Sequence, residues 1–217
     1  MTVQTRRARR EQERKNKPVQ QGSPQPQRSR GSRPGWIVPV VIIAIAVAAI
    51  LLARANGVFD PVRVSDINDP KFSPSGVIGT QYPDEGKNHV PDGQPVQYKT
   101  TPPTSGNHWA TPMPWGSYDQ QQPLERTTHN MEHGGIVIMY NGLGSNEVAQ
   151  LKVLVSTMRT GEFNKIVLEP SNSFSDAKIA LSAWTWQLKL QAYDEASIIK
   201  FVRAHYNGPD APEPNVG

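Results

Sequence analysis

Apolar positions change rhythm several times along the chain, and each rhythm predicts an element. "WIVPVVIIAIAVAAILLA", residues 36–53, is an 18-residue apolar run without a charge. As a helix it would span roughly 27 Å, close to the hydrocarbon thickness of a bilayer. "GGIVIMY", 134–140, is a short β-branched run opened by two glycines and reads as a buried strand. In the following "GSNEVAQLKVLVSTMRTG", Val148, Leu151, Val155 and Met158 recur at helical spacing, with Ser145 or Asn146 as cap and Gly161 as terminator. "NKIVLEP", 164–170, reads as a second strand and "AKIALSAWTWQLKL", 177–190, as a third. Trp184, Trp186, Leu188 and Leu190 share one parity while Ile179, Leu181 and Ala183 take the other, so the third strand is expected to carry a bulge or to be covered on both faces. Asp194 then caps a final helix bearing Ile198, Ile199, Phe201 and Val202. The order strand, helix, strand, strand, helix predicts an α/β (α+β layered) domain: a small mixed sheet with two packed helices, not a parallel doubly wound fold.

Between these runs the texture differs. Residues 88–133 lack a helical pattern and hold four of the five histidines, His89, His108, His129 and His133. An irregular stretch of that length inside a domain is functional or disordered. Its dense Trp, Tyr, Pro and Gly content predicts a long ordered loop region. Residues 1–35 are rich in Arg, Gln, Pro and Ser, with too little apolar surface to offset ordering entropy, and read as a disordered tail. Residues 54–79 read as a linker, 80–207 as the globular domain and 208–217, "GPDAPEPNVG", as a disordered tail.

Composition changes the picture at two points. The chain has no cysteine, which excludes disulfides, thiolate metal sites and thiol catalysis. The net charge of +4 hides an asymmetry, since residues 1–35 hold ten Lys or Arg against Glu11 and Glu13 and the remainder is acidic on balance. The basic charge therefore belongs to the tail, and no nucleic-acid partner is expected for the domain. A cleaved signal peptide is the alternative to a membrane anchor over 36–53. The long basic region and the lack of a small-x-small cleavage pattern after Leu52 favour a single-pass anchor. The positive-inside rule then places 1–35 in the cytoplasm, where anionic lipid head groups are candidate partners, and the domain outside the membrane.

Candidate chemistry centres on "THNMEHGG", 128–135. "HNMEH" matches the H-x-x-E-H pattern of inverted zincins, which needs a helix to bring positions i and i+4 onto one face. β-Branched Thr127-Thr128 before it and Gly134-Gly135 after it oppose a helix. In an extended strand the two histidines would lie about 13 Å apart, so a shared ion requires a turn at Asn130–Glu132. His108 in "SGNHW" can supply a third nitrogen. A sulfur from Met131 or Met113 would favour Cu(I), and Glu132 would favour Zn²⁺. Against these stands a plainer reading, in which the histidines and Glu132 tie loops together by hydrogen bonds. In that reading Glu132 accepts backbone N–H bonds in the turn before Gly134. His89 is a weaker candidate than the other three, and His205 is expected to meet the C-terminal carbonyls of the last helix.

"HVPDGQPVQY", "PPTSGNHW", "GSY", "HNMEHGGIVIMY", "ALSAWTWQLKL" and "DEASIIKFV", in this order and spacing, resemble the domain-of-unknown-function 3105 family over about residues 84–203. The resemblance implies a bacterial cell-envelope protein with one N-terminal membrane anchor. It marks Ser105, Gly106, His108, His129, Glu132, His133 and Gly134 as motif positions and supplies no reaction. Three function classes follow. The first is an extracytoplasmic module binding copper or zinc through His108, His129 and His133, supported by Ser105, Gly106, Met131, Glu132 and Gly134. The second is a non-catalytic structural or interaction module. The third is a metal-dependent hydrolase with Glu132 as general base, for which no nucleophile is recognisable.

Overall fold

The computed structural model describes residues 47–49, 52 and 64–216. Two units separate at Asp60. In the first, Val47, Ala48, Ala49 and Leu52 are helical. The basic tail and nearly all of the expected anchor lie outside the described residues. No helix among the described residues is long and apolar enough to cross a membrane.

In the second unit, alternation along the strands decides the layering. Successive strand residues face opposite ways. In β5 (Ile136–Tyr140), Ile136 and Ile138 face one apolar cluster, and Val137 and Met139 face the other. Leu168 and Val167 divide likewise in β6 (Ile166–Pro170), as do Leu181 and Ala180 in β7 (Ile179–Ala183). The first cluster is closed by α2 (Ser145–Thr160), through Leu151, Leu154, Val155 and Met158, and by α3 (Glu195–His205), through Ile198, Ile199, Phe201 and Val202. Asp194 caps α3 as expected, accepting the Ser197 N–H at 3.1 Å. The N-cap of α2 is Gly144, whose N–H donates to Glu147 Oε2 at 3.0 Å.

The domain is mixed α/β with a six-stranded mixed sheet. Its strand order is β1-β8-β7-β5-β6-β4, where β1 is Thr80–Gln81, β8 is Trp186–Leu190 and β4 is Gly116–Ser117. β5 and β6 are parallel, joined through α2, and β4 adds to β6 in parallel; the β7, β8 and β1 pairings are antiparallel. The stretch 177–190, expected to be one strand, is a hairpin in which Ala183 pairs with Trp186 across Trp184 and Thr185. Two-residue hairpin turns usually announce themselves with Asn or Gly, and this one does not. Thr185 takes φ of 63°, which costs roughly 1–2 kcal/mol for a residue with a Cβ. Compensation comes from outside the sheet: Thr185 N–H donates to Thr104 O at 2.8 Å, and Tyr82 N–H donates to Thr185 O at 2.7 Å.

Both flanking segments pack more than their composition predicts. Phe72, in a short 3₁₀ turn at Pro70–Phe72, and Ile67 are buried in the α2–α3 cluster. Arg203 Nη1 donates to Ile67 O and Asp69 O. At the other end Ala211 is buried, and Lys165 Nζ donates to Pro214 O at 3.0 Å and Val216 O at 2.8 Å. Side-chain donors from the body of the domain thus bind the carbonyls of these polar segments and help to offset their ordering entropy.

Candidate metal centre

The sheet face opposite α2 and α3 carries a third helix, α1 (Leu124–Glu132). Composition argued against it. The Thr127 and Thr128 hydroxyls both donate back to Leu124 O, at 3.1 and 2.8 Å, which lets buried threonines sit in a helix. Asn130 clamps the helix to the preceding loop: its Oδ1 accepts the Met113 N–H at 2.9 Å and its Nδ2 donates to Met113 O at 2.8 Å. Tertiary contacts therefore override a weak local propensity. The two glycines end the helix instead of preventing it. Gly134 takes φ of 76°, its N–H donates to Met131 O and the Gly135 N–H to Asn130 O, both at 3.0 Å. A Cβ at Gly135 would lie 2.4 Å from the Trp115 ring, so the chain can enter β5 only as glycine.

His129 and Glu132 sit one turn apart on α1 with their side chains almost completely buried. The partners that face them come from a separate two-stranded parallel pair, β2 (His89–Val90) and β3 (His108–Trp109), in which His89 is the register partner of His108. That register brings His89 and His108 together. The upstream loop is fixed by Ser105 Oγ, which accepts the Glu85 N–H at 3.0 Å, and by Tyr98 Oη, which donates to Asn107 O at 2.9 Å.

Four side chains converge. Glu132 Oε2 lies 2.9 Å from His108 Nε2, 3.3 Å from His89 Nε2 and 4.0 Å from His129 Nε2. One ligand atom from each of His89, His108, His129 and Glu132 lies within 4.8 Å of all the others. The three rings pack with centroids 4.8–4.9 Å apart. His108 is wholly buried, whereas the His89 side chain is 48% exposed, so the cluster opens to solvent on the His89 side.

Hydrogen bonding fixes the protonation pattern. His108 Nδ1 lies 2.8 Å from Gly106 O, and His129 Nδ1 lies 2.7 Å from Trp109 O. A carbonyl only accepts, so both Nδ1 atoms carry the proton. In a neutral ring Nε2 is then a bare lone pair aimed at the cluster, the orientation in which backbone carbonyls hold metal-ligating histidines. Burial, reinforced by neighbouring imidazoles, holds His129 below the ordinary imidazole pKa. Burial lowers His133 as well.

Of the candidate residues, His108 and His129 lie side by side, and His89, a weaker candidate in the sequence, packs against both. His133 is the C-cap of α1; its Nε2 lies 3.1 Å from His129 Nε2 and 3.5 Å from Glu213 Oε2. Glu132 does not cap a turn. Among the described residues no backbone N–H donates to its carboxylate, because the Gly134 and Gly135 N–H groups are taken by Met131 O and Asn130 O. Met131 and Met113 are buried in the apolar cluster with Val137, Met139 and Trp184. His205 Nε2 donates to Ile78 O at 2.7 Å instead of meeting its own helix terminus. One sequence signal pointed to His89, namely its place among the four histidines of 88–133; the strand pairing that delivers it carries no local signature.

A helix-borne histidine–glutamate pair faced by two strand-borne histidines defines a domain built to gather imidazole nitrogens around one carboxylate. Residues 89–217 match the family described as "Protein of unknown function (DUF3105)", and the chain belongs to that family. Searches of curated proteins and of solved structures return no match to the chain.

Proposed function

We propose that the domain binds a divalent metal ion through His89, His108, His129 and Glu132. The observation that carries this reading is the 2.9 Å approach of His108 Nε2 to Glu132 Oε2, with the His108 proton committed to Gly106 O. A nitrogen this close to a buried carboxylate has a proton or a metal ion between them, and the convergence of His89, His108 and His129 nitrogens on the same carboxylate supports the metal. Three imidazoles and one carboxylate form a borderline donor set without sulfur, which favours Zn²⁺ over Cu(I) and leaves Cu²⁺ as competitor. Binding alone is proposed here, without a reaction. We place the domain outside the membrane, on a single anchor at 36–53, with the basic tail against anionic lipid head groups. The charge asymmetry around that run supports this placement.

Full-length protein purified in detergent, stripped with chelator and dialysed against Zn²⁺ should retain stoichiometric zinc by elemental analysis. His108→Ala should lose it. Substoichiometric zinc in the wild type, with no gain from Cu²⁺, would favour the structural-module reading, in which a shared proton holds His108 and Glu132 together. A cytoplasm-only reporter fused after Gly217 should be silent, and strong signal would overturn the orientation.

A further inference from the structure

Beside the four-residue cluster lies a second set of donors. Glu132, His133 and Glu213 each offer a ligand atom within 4.8 Å of the other two. His133 is the next residue after α1, so its ring stands one helical turn beyond His129, with their Nε2 atoms 3.1 Å apart. Glu213 arrives from the C-terminal segment, and its place is built. Its N–H donates to Glu132 O at 2.9 Å. The next residue is held by Lys165 Nζ, which donates to Pro214 O at 3.0 Å and to His133 O at 3.2 Å, tying the segment to the end of α1. The Lys165 side chain is thus occupied by carbonyls, and among the described residues it forms no ion pair with Glu132 or Glu213. His133 Nε2 faces His129 Nε2 and Glu213 Oε2, at 3.5 Å, with at most one proton to share in its neutral form.

We infer that Glu132, His133 and Glu213 form a second divalent-cation position and that Glu132 bridges the two, making the centre dinuclear. The inference rests on the metal-binding reading proposed above. The two donor sets share Glu132 alone, whose two oxygens allow one to each ion. Paired sites bridged in this way hold their ions about 3.5–4 Å apart, a spacing suited to ligand sets that meet at His129 and His133. The positions are not equivalent. The first has four protein donors, three of them buried. The second has three, and the Glu213 side chain is 48% exposed, so it keeps room for water in its coordination sphere. Zn²⁺ should therefore fill the first position before the second.

The test is ion stoichiometry on the full chain in detergent, stripped and titrated with Zn²⁺. Two ions per wild-type chain are expected, with the second binding more weakly. Glu213→Ala keeps the backbone N–H to Glu132 O and should bind one; His133→Ala should do the same. Wild type loaded with Mn²⁺ should show an exchange-coupled electron paramagnetic resonance signal that Glu213→Ala replaces with that of an isolated ion. One ion in wild type and in Glu213→Ala alike would overturn the bridged pair while leaving the first position standing. No ion in the wild type would overturn both. Two ions retained in both variants would show that these donors are not the ligands and would also overturn the inference.

Discussion

Glu132→Gln separates the electrostatic role of this residue from any structural one. In the metal-free protein the glutamine keeps the shape of Glu132 and a hydrogen-bonding atom near His108 Nε2, now 2.9 Å from Glu132 Oε2, so stability should hold if the carboxylate serves mainly as a ligand. In the presence of metal the variant loses its anionic ligand. For wild type at a free-ion concentration one thousand times Kd, binding adds about 4 kcal/mol to folding. For a domain of this size that corresponds to a rise in Tm of about 8–16 °C. Even a residue that only supports a ligand is worth about 10–100-fold in affinity. A hundredfold loss would bring the same ion concentration to ten times Kd, leaving about 1.4 kcal/mol and a rise of about 3–6 °C. Calorimetric melts of both proteins, stripped and with Zn²⁺, measure the difference directly. An equal zinc-induced rise in both would refute the ligand role. A drop of about 1–3 kcal/mol in the stripped variant would instead return Glu132 to a structural hydrogen-bonding role.

Two further outcomes follow from packing and burial. Burial raises the Glu169 carboxyl from 4.5 to about 7, so it is neutral in the fold over a range where the unfolded chain ionises it; stability should fall by up to about 3 kcal/mol as pH rises from 4.5 to 7, and Glu169→Gln should flatten that slope in urea unfolding, an unchanged slope counting against the assignment. Gly135→Ala places a Cβ 2.4 Å from Trp115 and 2.8 Å from Asn130 O; it should cost about 1–3 kcal/mol or more by thermal melting, and a wild-type Tm would mean the junction between α1 and β5 is looser than described.

The chain announced its sheet more clearly than its site. Ile136, Ile138, Ile166 and Leu168 are fully buried, and the β-branched runs that contain them stand out because apolar strands have little else to signal. The parity switch near Ala183 was visible, yet it encodes two strands, since nothing about Trp184-Thr185 resembles a turn until Thr104 and Tyr82 are seen to hold it. α1 was hidden by Thr127 and Thr128, whose hydroxyls turn inward to Leu124 O. His108 and His129 could be selected from their motifs. His89 could not be ranked with them, because it reaches the cluster through a two-residue strand whose partner lies 19 positions away at His108. Glu213 sits in a segment whose composition suggests fraying, and the buried Lys165 that holds that segment is remote in sequence.

The turn at Trp184 and Thr185 has a kinetic consequence for the site. It anchors Thr104, one residue before the Ser105–His108 stretch, and through Tyr82 it anchors the chain leading to His89. His108 is thereby held when the sheet forms, and His129 and Glu132 are held on α1 by the Asn130 clamp to Met113, before any ion arrives. Immobilising a flexible side chain costs about 0.5–1.5 kcal/mol, and for His108, His129 and Glu132 that loss belongs to folding. Only the half-exposed His89 retains freedom to surrender. Capture should then be a short inward swing of one imidazole rather than the closing of a loop, and escape should begin with that same ring letting go.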